Sequence, residues 1–209
     1  MTKRVLCYGD SNTWGHIPET GGRYGADVRW PGVLQRELGG GFIVIEEGLC
    51  GRTTVWDDPI EGYKNGRQYL IPCLASHKPL DLVVILLGTN DLKHRFSLTA
   101  YDIAEGAGVL VDLVHASQVG PDNGRPTVLL LAPPPVSTLS DYADMFRGAV
   151  AESQRLAAQF ARVAQLKGCA LLDVDAILSC SPVDGIHFDP AGHLALGQAV
   201  AQRVRALLS

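Results

Sequence analysis

The chain has 209 residues, 46% hydrophobic and 19% charged, enough apolar side chains for one sizeable core and too many for a disordered or fibrous protein. The formal net charge is −4 and the basic residues are scattered. That argues against nucleic acid as a partner, since phosphate binding needs a concentrated basic face. No apolar run is long enough to span a bilayer, so no membrane partner is expected either.

Short apolar runs alternate with longer stretches of helical period, without repeats or linkers, so residues 1–209 read as one domain. The first strand is expected in "RVLCYG" from Arg4, which leaves no room for a signal peptide before Val5. It stops at "GDSNTWG", where Ser11 sits among turn formers. The second strand, "FIVIEE" from Phe42, leads into "GLCGRT", and the third, "LVVILLG" from Leu82, into "GTND". Ile103, Ala107, Leu110, Val111 and Val114 then form one helical stripe. "TVLLLAP" from Thr127 is the fourth strand, followed by a helical segment carrying Ala149, Leu156, Phe160 and Val163. "CALLDV" from Cys169 is the fifth. The last helix starts at "DPAGH", with Asp189 as N-cap and Pro190 at the first helical position. Central strands apolar on both faces, joined by right-handed crossovers, give an α/β three-layer α/β/α sandwich around a five-stranded parallel sheet.

In such sheets ligands bind outside the carboxyl ends of the strands, where these loops gather. Ser11 there is a candidate nucleophile, inert until a base takes its proton. Asp184 and His187 in "VDGIHF" can supply an imidazole base and the carboxylate that orients it. The Asn90 amide, the Gly51 N–H and the Ser11 N–H are candidate donors to an oxyanion. Each feature taken singly also fits an ordinary turn or helix cap. The set, in this order and at one sheet edge, is more specific.

Here the residues carry a resemblance. The blocks "YGDSNTWG", "GLCGRTT", "LGTND" and "DGIHF" resemble those of SGNH (GDSL-type) hydrolases, and Ser11, Gly51, Asn90 and His187 match the four residues that name that family. The resemblance implies a flavodoxin-like sheet. It implies catalysis by Ser11, His187 and Asp184, with an oxyanion hole of Ser11, Gly51 and Asn90, and no cofactor. "DVRWPGVL", "EEGLCGRTTVWDDP" and "YLIPCLASHKPLDLVVILLGTND" are similar to the bacterial aryl esterase and acyltransferase subgroup over nearly the whole chain. That similarity implies a small-molecule ester substrate, acyl transfer to alcohols or peroxide in some members, and a homo-oligomer. The same machinery removes acetyl groups from sugars, which stays as the alternative. One departure stands out: Asn12 occupies the place where the family name expects Leu.

Asn12, Trp14, Cys50 and Ile186 are expected to bind substrate, and His16 to shape the entrance. Asp91 and Lys93 either line the acyl or alcohol channel or sit in a solvated loop. Residues 53–70, with little regular pattern, are expected to form a lid or subunit contact that narrows the acyl pocket in an assembly. His193 falls on the inward stripe of the last helix and reads as structural, and Asp10 and Asp189 as caps. Five cysteines and six histidines show no metal-type spacing, so no metal is implied and a reducing, cytoplasmic setting is expected. A nucleotide- or flavin-binding module would need a Gly-rich phosphate loop after the first strand. "GDSNTWG", with bulky Trp14 between its two glycines, fits that poorly.

Overall fold

The computed structural model describes residues 2–209. Five strands, β1 (Lys3–Gly9), β2 (Phe42–Gly48), β3 (Leu82–Leu86), β4 (Thr127–Ala132) and β5 (Ala170–Asp173), form one sheet in the order β2-β1-β3-β4-β5. Every pairing is parallel. The sequence places all five strands correctly, because β1, β3 and β4 bury both faces and leave continuous apolar runs.

Alternation along each strand sends side chains to two separate cores. Leu6, Tyr8, Val83, Ile85 and Leu130 point to one face, covered by α3 (Gly66–His77), α4 (Ala100–Ala116) and α6 (Leu156–Lys167). Val5, Cys7, Val84, Leu86 and Leu131 point to the other, covered by α2 (Trp30–Leu38) and α7 (Pro190–Leu208). The helix α4 starts in a capping box between Thr99 and Asp102. At the head of α7 Asp189 accepts from Gly192 N at 2.7 Å, as its sequence position predicts.

Two elements differ from expectation. The stripe of Ala149, Leu156, Phe160 and Val163 is buried, but it spans two helices, α5 (Ala149–Ser153) and α6, broken at Gln154–Arg155. The buried Ser153 hydroxyl donates to Val150 O and accepts from Val136 N, so it draws the backbone away from continuous helix toward the loop after β4. Within residues 53–70, positions 66–70 are the start of α3, and only 53–65 are irregular.

The sheet order reverses between β1 and β3, so the crevice of the fold opens there, above their carboxyl ends. Among the described residues no helix is long and apolar enough to cross a membrane.

Candidate active site

The chain leaves β1 at Gly9 through a turn too tight for any side chain. A Cβ at Gly9 would lie 2.0 Å from Thr13 Oγ1 and 2.8 Å from Leu86 O. Asp10 then caps the four-residue helix α1 (Ser11–Trp14), accepting from Asn12 N at 2.9 Å. Ser11 opens α1 and is buried, 6% exposed, with its hydroxyl beside the loop between β5 and α7.

That loop carries the second half of the site. Asp184 Oδ1 accepts from Ile186 N and His187 N, both at 2.9 Å, which folds "DGIH" into a compact turn with Gly185 at φ 76°. Asp184 Oδ2 lies 2.6 Å from His187 Nδ1, and His187 Nε2 lies 2.9 Å from Ser11 Oγ. A carboxylate only accepts, so Nδ1 carries the ring proton and Nε2 is left to accept from the hydroxyl. Hydroxyl, imidazole and carboxylate in this order form a relay able to remove the hydroxyl proton and stabilise the resulting imidazolium.

The donors sit beside it. Gly51 adopts φ 81°, a left-handed conformation that favours glycine. Neither its N–H nor that of Ser11 donates to a protein acceptor among the described residues. The Asn90 amide donates to Arg52 O at 3.2 Å and reaches Asp10 Oδ2 at 3.5 Å, which fixes its orientation. Arg52 in turn donates to Gly9 O at 2.8 Å and to Glu47 O, and packs against the Tyr8 ring, tying the ends of β1 and β2 together. A cavity of about 250 Å³ opens over Ser11, Gly51, Asn90 and His187.

The GDSL-like lipase/acylhydrolase family matches residues 7–195. The chain belongs to that family. This hydrolase is 44% identical to the M. smegmatis aryl esterase, over 99% of this chain and 100% of that one, with a TM-score of 0.94. It is 41% identical to Est24, a carbohydrate acetylesterase from Sinorhizobium meliloti, over 99% and 100% of the two chains, with a TM-score of 0.95. A lipolytic G-D-S-L family protein from Veillonella parvula DSM 2008 shares the fold at a TM-score of 0.69 and 14% identity, over 96% and 97%. No curated protein sequence matches the chain. The chain is a serine ester hydrolase.

The hydrolase brings Cys50 and Ile186 to the cavity wall, together with His16, whose ring stacks 4.0 Å from that of His187. Asn12 and Trp14, expected to bind substrate, do not line this cavity. Asn12 turns back into the fold, donating to Ile186 O at 3.3 Å and accepting from Phe188 N at 3.1 Å, so it brackets His187 instead of facing a ligand. Trp14 lies under the Arg23 guanidinium, which sits 5.1 Å from its ring. Lys93 lines the cavity, whereas Asp91 is buried and accepts from Thr54 N and Thr54 Oγ1. His193 is fully buried, packed against Tyr24 and Phe188, with its Nδ1 accepting from Trp30 N. Sequence reasoning did not assign Glu61, Lys64, Tyr142, Met145 and Phe146, which also line the cavity. The first two lie in the segment singled out as a lid, while nothing in "DYADMF" signals a pocket wall.

Burial shapes the electrostatics. It raises the Asp10 carboxyl to about 6 and that of Asp91 to about 7. Burial also opposes ionisation of Asp184, but hydrogen bonds from the His187 ring and from two backbone amides outweigh it and hold that carboxyl below its ordinary value. Burial and the neighbouring His187 lower His16, so its ring favours the neutral form. Among the described residues two clusters bring metal-ligating atoms within 4.8 Å of one another, His16–Asp184–His187 and Glu47–Cys73–His77. In each, a carboxylate and an imidazole already satisfy one another, at 2.6 and 2.7 Å.

Proposed function

We propose that this single-domain hydrolase cleaves small acyl esters of aryl or short alkyl alcohols through an acyl-Ser11 intermediate. The observation that carries the reading is the unbroken run Ser11 Oγ–His187 Nε2–His187 Nδ1–Asp184 Oδ2, at 2.9 and 2.6 Å, on the floor of a small cavity. Ser11 Oγ attacks the ester carbonyl carbon as its proton passes to His187 Nε2. Negative charge gathers on the carbonyl oxygen and is met by the N–H groups of Ser11 and Gly51 and by the Asn90 amide, which exchanges its long 3.5 Å contact with Asp10 for the oxyanion. The intermediate collapses, the bond to the alkoxide breaks, and His187 returns the proton to the leaving oxygen. Water, or an acceptor alcohol in acyl transfer, then gives its proton to His187 and attacks the acyl carbon; the bond from that carbon to Ser11 Oγ breaks, and His187 returns the proton to Oγ. Asp184 holds the ring and its charge throughout.

The cavity, about 250 Å³, is smaller than the ~300–1,000 Å³ usual for drug-sized ligands, which favours small esters. The flanks of His187, where the leaving oxygen must lie, carry the His16 and Tyr142 rings at 4.0 and 6.0 Å, which suit an aryl alcohol. Sugar deacetylation is the second reading, favoured by the 41% identity to a carbohydrate acetylesterase. Turnover of p-nitrophenyl acetate by the wild type and two variants tests the machinery. Ser11→Ala should lower kcat on the order of 10⁶-fold. Asn90→Ala should lower it ~10²–10³-fold. Wild-type turnover in Ser11→Ala overturns the assignment.

The protein is also read as a homo-oligomer. Ile60, Tyr63, Tyr69 and Ile71 expose 76%, 99%, 43% and 47% of their surface within twelve residues, large apolar side chains that a second copy would cover. Light scattering on the eluting protein reads this directly, and a monomer at working concentration overturns it. Five unpaired cysteines support a reducing, cytoplasmic setting.

A further inference from the structure

A group of four charges meets the cavity through Lys93 and Glu61, with Lys93 and Asp58 buried and Arg95 and Glu61 half-buried. Lys93 is 2% exposed, and its ammonium donates to Glu61 Oε1 at 2.7 Å and Asp58 Oδ2 at 3.4 Å. Arg95 donates to the same two carboxylates, at 3.1 Å to Asp58 and 3.4 Å to Glu61. Lys93 joins two short 3₁₀ turns, Asn90–Leu92 and His94–Phe96, Arg95 lies in the second, and the carboxylates come from the irregular loop before α3. Asp58 also builds that loop locally, since Oδ1 accepts from Ile60 N and Glu61 N. The charges therefore lash the loop down onto the oxyanion side of the site. A Cβ at Gly51 would lie 2.7 Å from Glu61 Oε2 and 3.3 Å from Lys64 Cε, so the loop roofs Gly51 directly.

We propose that this charge cluster is the gate that limits acyl chain length. The proposal rests on the ester-hydrolase reading of Ser11 and His187 above. The leaving oxygen must face His187 Nε2, and the oxyanion must face Ser11 N, Gly51 N and Asn90 Nδ2. The acyl substituent is then directed away from His187, on the side where Glu61 and Lys64 approach Gly51 and where Lys93 also lines the cavity. An apolar wall would reward each added methylene, by about fourfold in binding. An ion cluster does the reverse. A methylene chain cannot replace the hydrogen bond between Lys93 and Glu61, and displacing Glu61 leaves the buried Lys93 ammonium without its nearest counter-charge. Acetyl and other short groups stop before the cluster, whereas longer ones meet it.

Two measurements test the gate. The first uses the wild type and Ser11→Ala with p-nitrophenyl acetate, butyrate and octanoate. Ser11-dependent kcat/KM should fall along that series. Ser11-dependent turnover that rises with chain length overturns the gate alone, while the absence of any Ser11-dependent turnover overturns the catalytic reading and the gate with it. The second uses the double variant Lys93→Met/Glu61→Gln, which removes one charge of each sign and leaves the Asp58–Arg95 pair intact. Its octanoate-to-acetate ratio of kcat/KM should rise roughly tenfold or more, the gain from about two newly accommodated methylenes. A folded double variant with the wild-type ratio overturns the proposal. Should the double variant fail to fold, Glu61→Ala, at a side chain 33% exposed on the roof, should raise the same ratio, and an unchanged ratio there also overturns it.

Discussion

Asn12 shows how a single side chain can serve a reaction without touching its substrate. Its amide spans two backbone groups on either side of His187, the Ile186 carbonyl and the Phe188 N–H, both in a buried region. Asn12→Leu keeps the volume but leaves both unpaired, at about 1–3 kcal/mol for an orphaned buried group. The His187 ring then loses two of the restraints on its loop, and a misplacement near 1 Å costs up to ~10²-fold in rate. The expected result is a kcat on p-nitrophenyl acetate ~10–100-fold lower with KM little changed, since Asn12 does not line the cavity. Unchanged kcat in a folded variant would show that the Asp184 turn holds the ring unaided. The residue types at the site were legible in the sequence because the chemistry demands them: a hydroxyl, an imidazole, a carboxylate, an amide and a glycine. The direction of Asn12 was not. It depends on a loop 174 residues away that only the closed fold brings alongside.

At the scale of elements, legibility followed burial. The strands β1, β3 and β4, covered on both sides, had no polar alternation to confuse them, and Asp189–Pro190 announced α7 through local cap chemistry. The break between α5 and α6 was hidden, because its cause is one hydroxyl bonding to Val136 N across a tertiary contact. The wall of Tyr142, Met145 and Phe146 was hidden for a related reason. It lies in an irregular stretch after β4, where no period separates inward from outward side chains. The charged roof was half legible. The loop before α3 was visible as a segment without pattern, but its attachment to Lys93 and Arg95 joins residues more than thirty apart. Periodicity reads faces of regular elements. It does not read which loops the fold lashes together, and in this protein those loops line the cavity.

For the whole molecule, the crevice above β1 and β3 is built over buried ionisable groups whose titration couples the site to stability. Asp10 and Asp91 have folded pKa values of about 6 and 7, both raised by burial from an ordinary 3.8. Between those limits the folded state holds protons that the unfolded chain has released. Their contribution is therefore complete below about pH 4 and is lost as pH rises through 6 and 7. The buried His193 runs the other way. Burial lowers it from 6.5 to about 4, so its contribution is present above 6.5 and is lost as pH falls through 4. The opposed slopes mask one another in the wild-type profile, and a variant separates them. Asp91→Asn keeps a carbonyl oxygen for Thr54 N and Thr54 Oγ1 but cannot ionise. Its stability relative to wild type should be flat below about pH 4, climb between about 4 and 7, and level off above, read by urea unfolding at several pH values with m unchanged. A difference independent of pH would mean that Asp91 is ionised in the fold across that range. The direction matters for the site, because Asp91 anchors the chain just beyond Gly51 and Arg52. An acidic group kept there against its own desolvation indicates that the placement of the loop after β2 is maintained at the expense of stability near neutral pH.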